Sequence, residues 1–535
     1  MTTRAAVSGL FGANSGRRFG RLLWHGMWAA LLHGALVQVT AGAPPTLHGM
    51  QPMGVSAGRS TGVILSGENL AGTLELWTSF PAVATADERS QETAFNLTVP
   101  AGTQVGLGLL RSIGTNGISN PLVVLLDPLT AMPATGTNHT PFTAQTVKVP
   151  GAVDGFCAEV SSDFYRFSGR SGQQLTIEVV AKRIGSALDP FLRVLNLERR
   201  ELAAIDDTPG LQGDARLDFR CPRTEDYLVE VRDTQYGGGR EHRYRLRLGR
   251  GLPYLLPFPV SDRYAANAAP RLPQGIEREP NNGPIQVQQL SWPVELEGAF
   301  NRSGDRDVYQ FFAAQGDTLW VQGRTRSLSW PCDLLLQLQT TNGLKLAEAN
   351  ASGSDEGMLT NRFAEAGTYR LVVEELNRQG GPRCRYRLQL QPLLPGFTLS
   401  VETERISVPA GESFPLLVQA QRRDYDGPIT LALPGLDSGF GLTNAVIPAK
   451  TNAVQLTVTT PAHLELGDFF DFRVSGQATI QERKVVAQAS TLPAIRRVLP
   501  NLRYPPAELD GVITLSIASG RSGTVPPTRK KRNAP

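Results

Sequence analysis

Near the middle of the chain, two short runs concentrate side-chain oxygen. The first is Glu277-Arg278-Glu279-Pro280-Asn281-Asn282, and the second is Ser303-Gly304-Asp305-Arg306-Asp307. Carboxylates and amides at this density suit a hard cation, and calcium takes about six to eight oxygens from such groups. In an extended segment residues i, i+2 and i+4 share a side. Glu277, Glu279 and Asn281 therefore align, and Pro280 stiffens the backbone between them. Docked beside the 303–307 turn, the segment would gain Asp305 and Asp307, with Asn282 at its end. Ca2+ is the cofactor this set implies. The plainer reading is a Glu-Pro-Asn turn leading into a strand, and both readings stand on the residues alone.

Other chemistry finds little support. Six histidines are scattered, with no HExxH and no close pair for zinc. No CxxCH run for covalent haem and no phosphate-cradling or dinucleotide loop is present. Gly58-Arg59-Ser60-Thr61-Gly62 fits G-x-S-x-G, but VILSGENL after it reads as a strand, whereas a nucleophile elbow leads into a helix. Ser60 is expected in a hairpin, and the chain is expected not to be an enzyme. Trp292, Trp320 and Trp330 fall within one stretch. Trp320 lies between Leu319 and Val321, both expected to face inward, so its own ring should face outward as a ligand platform. Core or strand-edge packing is the alternative for all three rings.

The elements that would carry these residues form a repeat. DFYRF at Asp163 matches DVYQF at Asp307, and SGQQLTIEV at Ser171 matches QGDTLWVQG at Gln315. DPFLRVL at Asp189 matches DLLLQLQ at Asp333, DYLVEVRD at Asp226 matches TYRLVVEE at Thr368, and RYRLRL at Arg243 matches RYRLQL at Arg385. The offset is 144 early and 142 late, so one small deletion reconciles all five matches. This is a tandem duplication of one unit. Each matched segment alternates with period two, as a strand with one buried and one wet face does. Tyr244, Leu246 and Leu248 should face the core, and Arg243, Arg245 and Arg247 the water. Short strands cut by Gly, Asp, Ser and Pro argue for all-β architecture: tandem antiparallel β-sandwich domains on a string, immunoglobulin-like or jelly-roll-like.

Composition sets the outer limits. A chain of 535 residues exceeds one ordinary core. Residues 1–43 read as a signal peptide: Arg4, Arg17, Arg18 and Arg21, the apolar run 22–37, then Ala41-Gly42-Ala43 for cleavage. The formal charge of +4 equals those four arginines, so the rest of the chain is balanced and nucleic acid is not an expected partner. No second apolar run would span a bilayer after cleavage. Export to the periplasm, cell surface or exterior is expected, which permits disulfides. Cys157, Cys221, Cys332 and Cys384 allow three pairings. By the repeat, Cys157 corresponds to Phe300 and Cys221 to Phe363. This favours Cys157–Cys221 with Cys332–Cys384, and four buried free thiols are the alternative.

Both repeat units, 145–250 and 277–395, resemble the bacterial pre-peptidase C-terminal domain, a β-sandwich related to the collagen-binding modules of bacterial collagenases. The resemblance is carried by the Asp163/Asp307 strands, the Gly172/Gly316 turns, the Asp189/Asp333 strands, the Asp206-Asp207 turn, Tyr227 and the RYRL strands. It implies that Glu277, Glu279, Asn281, Asn282, Asp305 and Asp307 hold calcium, with Asn282 departing from an acid. The first unit lacks E-x-E-P-N, and Ser161 stands where the second has Asp305, so its site should be absent or weak. Residues 44–130 resemble TIG immunoglobulin-like domains, through PTLHGMQPMGVSAGRSTGVILSGENL and the closing strands from Val99. A Pro-rich linker is expected at 251–276, an immunoglobulin-like sandwich at 396–492, and an extension with a basic tail, Arg529 to Arg532, at 493–535. These resemblances imply non-catalytic binding or spacing at the cell surface, with a polysaccharide or protein as ligand. An accessory role beside a secreted peptidase or glycan-degrading enzyme is the alternative, and an unrecognised hydrolase a minor one.

Overall fold

The computed structural model describes residues 43–255, 272–328, 330–350, 356–502, 505 and 509–520. The expected signal, the basic tail and most of the linker lie outside the described residues. The regular structure is nearly all strand, with one short α-helix, Leu492–Val498, among the described residues. Among the described residues no helix is long and apolar enough to cross a membrane.

The two repeat units share one topology. In the first, one sheet runs Ala131–Pro133, Gly151–Phe156, Arg243–Gly249, Gln174–Val180, Arg216–Arg220, and faces Gln145–Thr146, Ser162–Gly169, Glu225–Asp233, Pro190–Asn196, Glu201–Ile205. In the second, the order is Gln274–Ile276, Val294–Ala299, Arg385–Pro392, Thr318–Arg324, Met358–Arg362, facing Gln288–Gln289, Arg306–Ala313, Gly367–Glu375, Leu334–Thr340, Lys345–Asn350. In each sheet of both units the first strand is parallel to its neighbour and the remaining pairs are antiparallel. Alternation explains the cores. Tyr165, Phe167, Leu175, Ile177 and Val179 meet Leu246 and Leu248 in the first unit. Tyr309, Phe311, Leu319 and Val321 meet Leu388 and Leu390 in the second. Before them lies a smaller sandwich, from Thr46–Gln51 to Leu122–Leu126.

The last sandwich departs from its expected bounds. Ile513–Ile517 lies between Arg405–Val408 and Phe469–Phe472 in a three-stranded sheet, so the segment expected to be an extension after 492 supplies a central strand. The expected string of sandwiches also folds back on itself. Arg111 meets Glu404 at 2.6 Å, and Trp77 Nε1 donates to Asp471 at 2.9 Å, joining the first sandwich to the last.

The polar face of the first unit is the main correction. Arg245 and Arg247 do not face water; both are fully buried, because the N-terminal sandwich sits on this sheet. Arg247 Nε reaches Asp127 at 3.0 Å, and Arg245 Nε reaches Asp154 at 2.6 Å. Glu178 receives Arg183 at 2.6 Å, Arg216 at 3.0 Å and Arg247 as well. Asp154 also accepts the Met53 amide at 2.7 Å. Arginine tolerates such burial when each donor finds an acceptor, because its planar fork binds carboxylates in fixed geometry. An apolar cluster, including Leu107, Leu125, Val180, Ile184 and Ile495, surrounds the interface. Where the chain leaves the first unit, the Tyr254 ring is stacked between the guanidinium groups of Arg216 and Arg383, each 4.0 Å from its centre.

Removing one partner of a buried pair leaves a bare charge, at about 3–5 kcal/mol. Asp127→Ala should therefore destabilise the chain by that order in chemical denaturation. Glu297→Ala removes the carboxylate of a half-exposed pair with Arg387 in the second unit and should cost about 1 kcal/mol or less. Equal losses would show that the two pairs do not differ in this way.

Candidate metal centre

The strand Gln274–Ile276 runs beside Val294–Ala299, and the backbone then carries Glu277 to Asn282 over the end of the sandwich. Glu277 N donates to Glu297 O at 2.9 Å, and Asn281 O accepts Val308 N at 2.8 Å. Pinned at both ends, the segment brings Glu277, Glu279 and Asp307 together, with one carboxylate oxygen of each within 4.8 Å of the others. Asp305 stands in the adjoining turn, where its Oδ2 accepts Asn301 N at 2.7 Å. Asn282 is placed differently from its expected ligand role. Its amide nitrogen donates to Glu279 Oε2 at 2.9 Å and so steadies a neighbouring carboxylate.

Three buried oxygens in this cluster have no hydrogen-bond partner: Asn281 Oδ1, Asp305 Oδ1 and Asp307 Oδ1. Asn281 and Asp307 are fully buried. An unsatisfied buried acceptor costs about 1–3 kcal/mol, more when charged, and Asp307 belongs to the carboxylate cluster, where a cation would offset that cost. Burial, and then the charge of Glu277, push Asp307 up to about 9, and burial also raises Glu277. On the far side Tyr386 Oη donates to Asp307 Oδ2 at 2.5 Å and is itself 2.6 Å from Tyr309 Oη. The set is all oxygen and carboxylate-rich, which fits calcium rather than a softer metal. Glu277, Glu279, Asn281, Asp305 and Asp307 would hold the ion, which would tie the entering segment to the sandwich.

The same place in the first unit holds a histidine. Ala134 N donates to Asp154 O at 2.8 Å, and Asn138 O accepts Phe164 N at 2.7 Å, the counterparts of the two pins above. Ala134 and Gly136 thus replace the two glutamates. Asp163 keeps its tyrosine, Tyr244, at 2.5 Å. Its other oxygen, the one orphaned on Asp307, meets His139 Nδ1 at 3.0 Å. A side chain stands where the second unit gathers carboxylates. The signal was present in the sequence, since Thr137-Asn138-His139 aligns with Pro280-Asn281-Asn282 at an offset of 143.

The remaining candidates fall elsewhere. Ser60 lies within the strand Arg59–Glu68, paired with Thr98, and accepts the Thr98 hydroxyl at 3.0 Å. The bridge Cys157–Cys221 is ruled out by position. Cys157 follows Phe156, which pairs with Arg243; Cys221 follows Arg220, whose partner Gln174 lies beyond the Gly249 end of the same central strand. That separation is about 20 Å, against the roughly 7 Å a disulfide can span between Cα atoms. Cys332 and Cys384 are also unbonded, but their thiols are within hydrogen-bonding reach of each other. All four are buried.

No family model matches the chain, and no curated protein matches it. Among solved structures it is similar to the pre-peptidase C-terminal domain of a Bacillus anthracis collagenase, at 15% identity over 20% of this chain and 93% of that one, with a TM-score of 0.17. A protein of the Bacteroides ovatus mixed-linkage glucan utilization locus, solved with a mixed-linkage heptasaccharide, is 12% identical over 63% of this chain and 71% of its own, TM-score 0.15. A DUF4785 family protein from Legionella pneumophila is 13% identical over 36% and 58%, TM-score 0.15. Likenesses of this size do not say what the chain binds.

Calcium should raise the melting temperature, by about 2.7 kcal/mol of stabilisation at a hundredfold excess over Kd. Asp307→Ala should abolish the shift, and an unchanged melt in the wild type rejects the site. The raised carboxylates fix the pH dependence. Without metal, their contribution to stability is present below the ordinary carboxylate pKa and is lost as pH rises through about 9. Calcium must displace the retained proton, so its affinity should climb between pH 5 and 9 in titration calorimetry. Oxidation followed by mass spectrometry should yield one bridge, Cys332–Cys384, and leave Cys157 and Cys221 alkylatable on unfolding.

Proposed function

We propose that this chain is an exported, non-catalytic protein that binds and spaces at the cell surface or outside the cell. One observation carries the reading. Two sandwiches of the same strand order treat the same outer sheet face in opposite ways. In the first, Arg245, Arg247 and Glu178 are sealed beneath the N-terminal sandwich. In the second, the equivalent strands leave Arg385 and Met358 exposed and Gln322, Arg387 and Gln389 half-exposed. One copy builds the scaffold and the other offers a surface. Calcium would fix the segment entering the second copy and do no chemistry. The thiols support the non-catalytic part: burial raises all four and so disfavours the reactive thiolate.

The test is retention. The chain without residues 1–43 is applied to arrays of glycans and matrix proteins, with calcium and with chelator. Binding to a polymer or protein ligand, stronger with calcium, is the expected result. No retention on any surface in either condition overturns the proposal.

A further inference from the structure

We infer that the open sheet face of the second unit is a binding site for a neutral polysaccharide, centred on Trp320. The inference rests on the binding role proposed above and gives it a ligand class.

Leu319 and Val321 enter the core, so Trp320, Gln322 and Arg324 project from the other side of their strand. The strand register sets their neighbours. Trp320 lies between Thr360 and Gln391, and Gln322 lies between Met358 and Gln389. Each has a counterpart in the sealed face of the first unit. Thr176 opposite Gly249 becomes Trp320 opposite Gln391, and Glu178 opposite Arg247 becomes Gln322 opposite Gln389. The duplication thus exchanged a buried ion pair for two amides, and two small residues for an indole and an amide.

That exchange has a chemical direction. An amide offers both a donor and an acceptor without charge, which matches a sugar hydroxyl. The C–H face of a pyranose ring stacks on an indole, whose amphipathic character suits a half-wet surface. Trp320 is only partly covered, and among the described residues its N–H has no partner within the chain. Part of the nearby charge is paired, and Arg324 on the same face has no carboxylate partner among the described residues. Arg385 meets Glu297 at 3.1 Å, Arg387 meets Glu297, and Gln389 donates to Glu295 at 2.6 Å. The amides recognise hydroxyls without needing charge, and a lone indole and Met358 among amides lack the apolar centre of a protein interface. The face is also long. Trp330 lies over Arg385 at 5.4 Å, six residues along the strand from Gln391. The two indoles therefore stand about 20 Å apart, a span for a chain of sugars rather than one.

Affinity electrophoresis of the chain without residues 1–43, in gels of soluble β-glucan, xylan, galactomannan or polygalacturonate, tests this. At least one neutral polymer should retard the chain, and Trp320→Ala should weaken that retardation tenfold or more with the melting temperature unchanged. A second variant guards against misfolding. The double change Gln322→Glu with Gln389→Arg restores the charges of the first unit and should abolish retardation while the calcium-dependent melt persists. Undiminished retardation of both variants overturns the inference, as does retardation by polygalacturonate alone. Binding to matrix proteins without any neutral glycan also overturns it, while leaving the wider binding role intact; no binding of any kind removes both.

Discussion

Everything in the architecture turns on the charges buried against Glu178. Three guanidinium groups, from Arg183, Arg216 and Arg247, converge on this one carboxylate. Burying such a set costs desolvation that is repaid only where the guanidinium groups meet carboxylates in good geometry. Asp127 comes from the edge of the N-terminal sandwich, and Asp214 adds a further partner for Arg183 at 2.7 Å. The N-terminal sandwich therefore cannot lift away without stranding Arg247. With that sandwich held, the last one is held too, through Arg111 and Glu404.

Duplication gave the chain two copies of one sandwich, and their differences are electrostatic. At the outer sheet face, charge in one copy became amide and indole in the other. At the end of the sandwich the direction reverses: imidazole beside Asp163 in one copy, clustered carboxylates around Asp307 in the other. In both copies the tyrosine pair beneath the aspartate is kept, Tyr165 with Tyr244 and Tyr309 with Tyr386. The scaffold that aims the aspartate persists while the group it faces has changed.

Much of this was legible in the sequence, for reasons that also mark its limits. Period-two alternation located the strands, because one face of each must be apolar. It could not say what lies over the other face, so Arg245 and Arg247 read as wet when a second sandwich covers them. Ile513–Ile517, ITLSI, does alternate, but this five-residue run stands beyond a helix and short of the basic tail, apart from the other strands of its sandwich, and so read as part of an extension. The oxygen cluster was readable because its residue types are rare together, while the role of His139 depends on a contact 24 residues away. The cysteine error has a specific cause. Equivalence between copies was sound, but it does not imply nearness within a copy. Phe300 packs on Tyr386 and Phe363 on Tyr369, at opposite ends of the sandwich, and the two cysteines are as far apart as the rings they replace.

Tyr254 has a consequence beyond its own stacking. Its ring joins a cation from each duplicated unit, and its hydroxyl accepts from Arg383 at 2.8 Å. It thus ties the two units where the chain leaves the first, and Asp207 and Arg326 also approach each other across the joint. Removing the ring would loosen this tie while leaving both cores whole.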